Sequence, residues 1–282
     1  MKIIDGNVCS ICDSKALKMV YQIPDRSPLN VSCISIGECM DCHHRFLINT
    51  PTDLLMGFYS RDENCYAFHL NNSYLRMKRV DNMLVLLLIS RYLNQGQLLE
   101  IGCGTGSFLD VARMSGFSTF GVESSHWQAD VVKSKNHVVF NQPFENIKIG
   151  KDKFDIVVGI ELIEHILDVP IFMNRLNEIT KPGSLVYFST GSTTSFMARI
   201  KGKKWRYYEV LHTQYFCPES IQKLLEKWGW KVLEFGTGFR LSDLWRHGHK
   251  DLSYYELIKK SIARIRLGSC MKSGMHVIAK KV

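Results

Sequence analysis

Residues 98–109 read LLEIGCGTGSFL and set Gly102, Gly104 and Gly106 on alternate positions between an apolar run and a helix-like run. A backbone without Cβ atoms takes torsions closed to other residues and lets a ligand approach closely. The N–H groups that open the following helix face the same place. A dinucleotide turn needs G-x-G-x-x-G and a phosphate loop needs G-x-x-x-x-G-K-[ST]. Here the spacing is G-x-G-x-G and the loop holds no lysine. A ligand with an adenosine but no phosphate remains. Glu100, two residues before the first glycine, would repel a pyrophosphate and favour an ammonium. The next strand-like run, STFGVESS, brings Glu123 to its end, 23 residues after Glu100. A carboxylate there can accept from both hydroxyls of a ribose.

A second chemistry is written in cysteines. Cys9 and Cys12, and Cys39 and Cys42, form two C-x₂-C pairs separated by 26 residues. Each pair can bend into a knuckle that presents two thiolates, and four thiolates suit one tetrahedral zinc ion. A complete four-cysteine shell leaves no open position, so such a metal is structural. Cys33, His43 and His44 are spare candidate ligands. Nine cysteines without a recognisable export signal favour a reducing, cytoplasmic setting and metal ligation over disulfides.

These residues need elements to hold them. Residues 1–50, with five cysteines and short β-prone runs such as LKMVYQI and RFLINT, are expected to form a small metal-stapled module. Residues 51–95 read as a linker followed by a helix over 73–94, its apolar face drawn through Leu75, Met77, Val80, Met83, Leu84, Leu87 and Leu88. From 96 to 282 strand-like runs (QLLEIG, TFGVES, HVVFN, FDIVVGIE, SLVYFST, WKVLEFG, GMHVIAKKV) alternate with helix-like ones (GSFLDVARMS, SHWQADVVKSK, VPIFMNRLNEIT, ESIQKLLEKWG). That alternation predicts an α/β fold, a doubly wound sheet covered on both faces. A basic, helix-like insertion over 241–267 interrupts the last two strands. The run MLVLLLIS is far shorter than the roughly 20 residues a spanning helix needs.

Taken together, LLEIGCGTGSFL, GVESS, FDIVVGIELIEHI and LNEITKPGSLVYFST resemble a class I S-adenosylmethionine-dependent methyltransferase. The resemblance implies a Rossmann-like sheet of seven strands whose last strand is antiparallel. It also implies that Glu100, Gly102, Gly104 and Gly106, with Cys103 among them, hold the methionine part of the cofactor. Glu123 and Ser124 would meet the ribose, Phe144 would offer a face to the adenine, and Glu161 would stand near the sulfonium. Where the family often has an aspartate after the third strand, this chain has Asn141 and Gln142. A zinc ribbon ahead of such a domain is similar to bacterial enzymes that methylate sugars of nucleotide- or lipid-linked precursors in polysaccharide biosynthesis. The longer sugar C-methyltransferases carry a further C-terminal domain, so transfer to oxygen and transfer to carbon both stay open.

Methyl transfer from a sulfonium is an in-line displacement in which the protein aligns the reactants and excludes water. A hydroxyl or keto-adjacent carbon acceptor also needs a base. His212, in WRYYEVLHTQYF, is the expected base, and His165, in ELIEHI, a positioning partner. Trp205, Tyr207, Tyr208 and Tyr215 in the same loop could stack on a sugar ring, and Tyr59, Tyr66 and Tyr208 could assist the proton transfer. The net charge of +9 favours anionic partners. Against a nucleic-acid (RNA) methyltransferase, no N-P-P-[FYW] follows the fourth strand and residues 30–50 contain Arg45 as their one Arg or Lys. An intact glycine loop with Glu123 argues against a non-catalytic cofactor-binding module. The stretch LIKKSIARIRLG could rest on an anionic membrane surface.

Overall fold

The computed structural model describes residues 8–25, 27, 29, 31–59, 72–150, 153–238 and 274–282. Its centre is a seven-stranded sheet. Strands β4 (Gly96–Ile101), β5 (Phe117–Val122), β6 (Val138–Phe140), β7 (Phe154–Ile160) and β8 (Thr180–Gly191) pair in parallel. Strand β11 (Gly274–Lys281) slots antiparallel between β8 and β10 (Trp230–Gly238), giving the order β10-β11-β8-β7-β4-β5-β6. The predicted α/β fold with an antiparallel last strand is therefore present. The central strands are continuous apolar runs because both sheet faces are covered. In β7, Ile156, Val157 and Val158 are all fully buried. The chain leaves β4 toward β5 on one side and returns as β7 on the other, so a crevice opens beyond the carboxyl end of β4.

Helices α3 (Ser107–Met114), α4 (His126–Ser134) and α5 (Val169–Ile179) start where the sequence supplies a polar cap or a glycine. Ser125 accepts from the Gln128 N–H, Asp168 accepts from the Ile171 N–H, and Gly106 opens α3 in a left-handed conformation. Helix α7 (Pro218–Lys227) is opened by Cys217, whose thiol accepts from the Ser220 N–H while the Ser220 hydroxyl accepts from the Cys217 N–H. Ahead of the large sheet, helix α2 (Asn72–Ile89) buries Tyr74, Met77, Val80, Leu86 and Ile89. The expected apolar face is rotated in part: Met83 (41% exposed) and Leu87 (63%) look outward, while Asp81 and Asn82 are buried. The cause is polar, since Asn82 donates to the Ser107 hydroxyl at 3.0 Å and turns that side of the helix toward α3.

The amino-terminal strands β1 (Leu17–Ile23), β2 (Ile34–Cys39) and β3 (Arg45–Ile48) form an antiparallel meander. A fourth strand completes it from far along the chain: β9 (Gln214–Tyr215) pairs with β3. Residues 51–59, expected as linker, contain helix α1 (Thr52–Tyr59). A further short helix, α6 (Phe196–Lys201), leads into the loop before β9. No helix among the described residues is long and apolar enough to cross a membrane. Tyr66 and the basic insertion over 241–267 lie outside the described residues.

Candidate functional site

A cavity of about 1400 Å³ occupies the crevice beyond β4, and its lining joins the glycine loop to the loop before β9. At one end Gly102, Gly104 and Gly106 have φ of 69°, 54° and 76°. Three alternate left-handed residues explain why no side chain stands at these positions. The loop is tied to the next strand, for the Gly102 and Cys103 N–H groups both donate to the Val122 carbonyl, at 2.8 and 3.0 Å. Cys103 is buried, and its thiol fits because residue 121 is glycine: a Cβ there would stand 2.6 Å from the sulfur. Burial pushes that thiol well up, which removes Cys103 from nucleophilic chemistry.

Glu123 reaches across this loop. Its carboxylate accepts from the Gly104 N–H at 2.8 Å and the Ser125 N–H at 2.9 Å, one on each oxygen. Each oxygen keeps a second lone-pair direction for a ribose hydroxyl. Glu100 is buried too, and its Oε2 has no hydrogen-bond partner among the described residues. Burial raises both carboxyls, Glu100 the more strongly. A buried carboxylate oxygen in want of a donor, facing a bare backbone, fits the ammonium end of an amino acid. Ser124 and Phe144 also line the cavity, with Phe144 packed on Phe172 at 5.2 Å. Asn141, standing where the family often has an aspartate, donates to the Glu123 carbonyl at 2.8 Å and holds the turn. Of the sequence-predicted cofactor residues, Glu100, Gly102, Cys103, Gly104, Glu123, Ser124, Phe144 and Glu161 line the cavity, while Gly106 opens α3 and is not part of the lining.

Glu161 directly follows β7 with φ 52°, a left-handed conformation that is rare for a residue with a Cβ and characteristic of constrained sites. The Tyr207 hydroxyl donates to its carboxylate at 2.6 Å. His165 follows in a 3₁₀ turn (Ile163–His165), and its Nδ1–H donates to the Leu211 carbonyl at 2.9 Å. The Nδ1–H of His212 donates to the Tyr207 carbonyl at 2.7 Å. The two rings meet edge to face at 4.7 Å. Burial lowers both imidazoles, and the neighbouring His165 helps bring His212 down to about 3. Both rings are neutral at pH 7. Glu164 is 1% exposed, and Glu164, His165 and His212 offer ligand atoms within 4.8 Å of one another.

The aromatic loop corrects one expectation. Trp205, Tyr208 and Tyr215 are buried in the core shared with β2 and β3 and do not line the cavity, whereas Tyr207 does. Arg45 donates to the Tyr208 hydroxyl at 2.6 Å, which fixes Tyr208 in a structural place away from any proton transfer. Tyr59 closes α1 at the edge of the described residues. Glu164 and the bond from Tyr207 to Glu161 were not anticipated. The signal for Glu164 was its place beside His165 in ELIEHI, and no signal announced the Tyr207 contact, made across 46 residues.

The four cysteines Cys9, Cys12, Cys39 and Cys42 bring their sulfurs within 4.8 Å of one another. Cys9 to Cys42 and Cys12 to Cys39 each measure 3.6 Å, far beyond a disulfide of about 2 Å and near the roughly 3.8 Å edge of a tetrahedron with 2.3 Å zinc–sulfur bonds. The knuckles match: Asp13 and His43, each just after its pair, have φ of 60° and 57° and donate N–H to the carbonyls of Cys9 and Cys39. The Cys42 thiol donates to Cys9 and pulls Cys9 down to about 5, so a thiolate is already favoured there. The spare candidates stay outside. Cys33 is exposed, His43 faces Glu38, and His44 is buried against Gln214.

Comparison with known proteins agrees with this geometry. Residues 76–235 match the family model described as "Methyltransferase domain". A ubiquinone biosynthesis O-methyltransferase of Brucella anthropi is 27% identical over 184 residues, which are 58% of this chain and 73% of the relative. Its counterpart in Bartonella tribocorum is 25% identical over 238 residues, 77% of this chain and 86% of the relative. Among solved structures, a methyltransferase of Archaeoglobus fulgidus superposes with a TM-score of 0.54 at 19% identity, covering 73% of this chain and 94% of that one. The complex of the Haloferax volcanii Trm112 activator with a methyltransferase gives 0.57 at 13% identity, with coverage of 78% and 99%. A family match over more than half of the chain, on a crevice whose glycine loop and two carboxylates suit an adenosyl amino acid, makes this chain a member of the methyltransferase domain family and an S-adenosylmethionine-dependent methyltransferase.

Proposed function

We propose that the chain transfers a methyl group to a hydroxyl oxygen of a small acceptor with an apolar body. When bound, S-adenosylmethionine supplies an electrophilic methyl on sulfur. Transfer to the hydroxyl oxygen would break the S–CH₃ bond as the O–CH₃ bond forms, leaving a neutral thioether, and the hydroxyl proton would pass to the imidazole of His212. In this reading Glu100 holds the ammonium, the left-handed glycine loop passes under the methionine part, and Glu123 takes the ribose hydroxyls. Phe144 and Ser124 border the adenine side, and Glu161, locked by Tyr207, faces the reacting centre.

The observation that carries the acceptor side is the cluster of Glu161, Glu164, His165 and His212 on the same cavity as the glycine loop. A neutral imidazole pair can take up or position the hydroxyl, the role expected of His212 and His165. Leu162, Ile166, Leu167, Ile171 and Leu211 add apolar surface to the lining, alongside Asp168, Arg206 and Glu209. With Trp205, Tyr208 and Tyr215 inside the core, this lining suits an apolar ring or chain better than a nucleotide sugar. The relatives' names, which specify O-methyl transfer in ubiquinone biosynthesis, support the same reading. The matching knuckles support a structural zinc at Cys9, Cys12, Cys39 and Cys42, in a module over residues 1–50. Mass spectrometry after incubation with methyl-labelled cofactor and a panel of phenols, lipid-linked sugars and nucleotide sugars tests the proposal. The expected product carries the label on an oxygen of a phenol-like acceptor. Label on a nucleotide sugar would restore the sugar reading, and label on carbon would overturn transfer to oxygen.

A further inference from the structure

We infer that Arg45 and Asp25 of the amino-terminal module are positioning residues for the acceptor end of the cavity, acting through the loop before β9. Neighbouring residues of that loop serve opposite sides. Tyr207 lines the cavity, donates its hydroxyl to Glu161 at 2.6 Å and gives its carbonyl to the Nδ1–H of His212. Its ring also lies on the His212 ring, at 5.2 Å and 29°. That ring has a tight seat, for a Cβ on Gly191 would stand 2.5 Å from it. Tyr208, the next residue, turns the other way. It packs on Tyr21 of β1 and Tyr215 of β9, and its hydroxyl accepts from Arg45 of β3 at 2.6 Å, across 163 residues.

The module ties the loop at further points. Asp25, in the turn after β1, accepts from the Val210 N–H at 3.0 Å. The Leu47 N–H of β3 donates to the Thr213 carbonyl at 2.9 Å. Residues 208, 210 and 213 are thus held from the module, and His212 lies between them. The loop's own bonds are short turns, Tyr208 to Trp205, Glu209 to Tyr207 and His212 to Glu209. Short turns give the loop its shape, and the module's ties give it its place.

The choice of a charged residue at position 45 points the same way. Taking a guanidinium partly out of water is costly, and an apolar side chain would pack against Tyr208 without that cost. What the guanidinium adds is direction. Its Nε donates to Glu38 at 2.8 Å while one terminal nitrogen holds the Tyr208 hydroxyl, so a rigid fork joins β2 to the loop. Direction is what the cavity needs, since a misplacement of about 1 Å at a reacting group can cost on the order of a hundredfold in rate. That this end receives an acceptor rests on the proposed function, whereas the placing of the loop by the module does not.

Two measurements on the full chain test the inference: nitrogen-15 resonance of the histidine rings, which reads their tautomers, and amide hydrogen exchange. In the wild type His212 should show the Nδ1–H tautomer. Tyr208→Phe keeps the ring and removes the bond to Arg45, and Asp25→Ala removes the tie to Val210. Each should move the His212 nitrogens toward the mixed tautomers of a free imidazole and speed exchange over residues 205–213 by about tenfold or more. Exchange over residues 98–109 and affinity for S-adenosylhomocysteine should stay at wild-type values. Arg45→Met also strands Glu38, so the cycle is read through Tyr208: Arg45→Met with Tyr208→Phe should speed exchange no further than Arg45→Met alone. Unchanged His212 resonances in the folded variants would overturn the inference. So would exchange that rises equally over 205–213 and 98–109, the pattern of a general loss of stability. A His212 signature altered as described, with no phenol methylated by the wild type, would leave the positioning role standing and count against the proposed function alone.

Discussion

Glu100 and Glu123 share a cavity but are held differently, and the difference assigns their work. Glu123 already takes two main-chain N–H groups, so it is a fixed carboxylate that can accept two more donors. Glu100 keeps a buried oxygen in want of a donor. Gly104, at φ 54°, ties the glycine loop to Glu123 through its N–H. In Gly104→Val, a β-branched residue would be forced into left-handed torsions at a cost of about 1–3 kcal/mol. Its Cβ would also stand 3.2 Å from the Gln128 amide oxygen. Calorimetric titration should show S-adenosylmethionine affinity reduced by about tenfold or more with zinc content unchanged; retained affinity would refute the loop's role. This much was legible in the sequence, because a local turn of bare residues and a carboxylate one strand away are set by spacing. The contacts of Tyr207 with Glu161 and of His165 with Leu211, each across 46 residues, depend on how a distant loop folds back and have no local signature.

Among the elements, the small network joining α3, β5 and the entry to β6 carries a pH signature. Asp110 on α3 accepts from His137 at 2.9 Å and from Lys135 at 2.8 Å, and His137 meets Thr119 on β5 at 3.0 Å. Burial alone would raise the Asp110 carboxyl, but the hydrogen bonds from His137 and Lys135 outweigh it and hold the group below its usual 3.8. The folded chain thus binds fewer protons here than the unfolded chain. The stability this contributes is complete above pH 3.8 and is lost as pH falls below that. In Asp110→Asn, urea unfolding should lose part of its pH dependence below about pH 4; an unchanged profile would remove the network from acid sensitivity. A second element, β9, hangs on a buried amide: His44 and Gln214 meet at 2.8 Å, and Gln214 also donates to the Ile166 carbonyl at 3.2 Å. Gln214→Leu would strand both partners and cost about 1–3 kcal/mol, read as a lower urea midpoint. Neither β9 nor β2 was predicted. A two-residue strand has no periodicity to read, and ISIGEC mixes glycine and glutamate into its apolar run.

For the whole molecule, the two sheets are joined by a shared core. Cys9, Ile11, Leu17, Cys39 and Cys42 pack in one cluster with Phe216, Ile221 and Leu224 of the methyltransferase part. Cys217, which opens α7, also directs its thiol to the Cys42 carbonyl at 3.7 Å. The cysteine sheet also reaches the acceptor end through β9, whose Gln214 donates to the Ile166 carbonyl, so a metal at the cysteines is expected to bear on that end. Removal of the proposed zinc by a strong chelator, or Cys39→Ser, should lower the thermal midpoint by several degrees, as expected for the loss of a few kcal/mol from a chain of this size. Acceptor turnover should fall further than S-adenosylmethionine affinity; equal losses of both would show that the metal acts on the whole fold alike. The alternation of helices and strands made the large sheet predictable, whereas the union of the sheets depends on contacts between residues far apart in the chain.

The pairing of β3 with β9 also sets a schedule. Gln214–Tyr215 emerges from the ribosome about 167 residues after Arg45–Ile48, some 10–30 s later at 5–20 residues per second. During that wait β3 is an unpaired margin, the kind of surface on which nascent chains stick to one another. Arg45, paired with Glu38 and close to Tyr21, puts charge on this margin before its strand arrives. The cysteine sheet is begun before β4 and closes only after β8 has been made, and the acceptor end of the cavity takes shape with that closure.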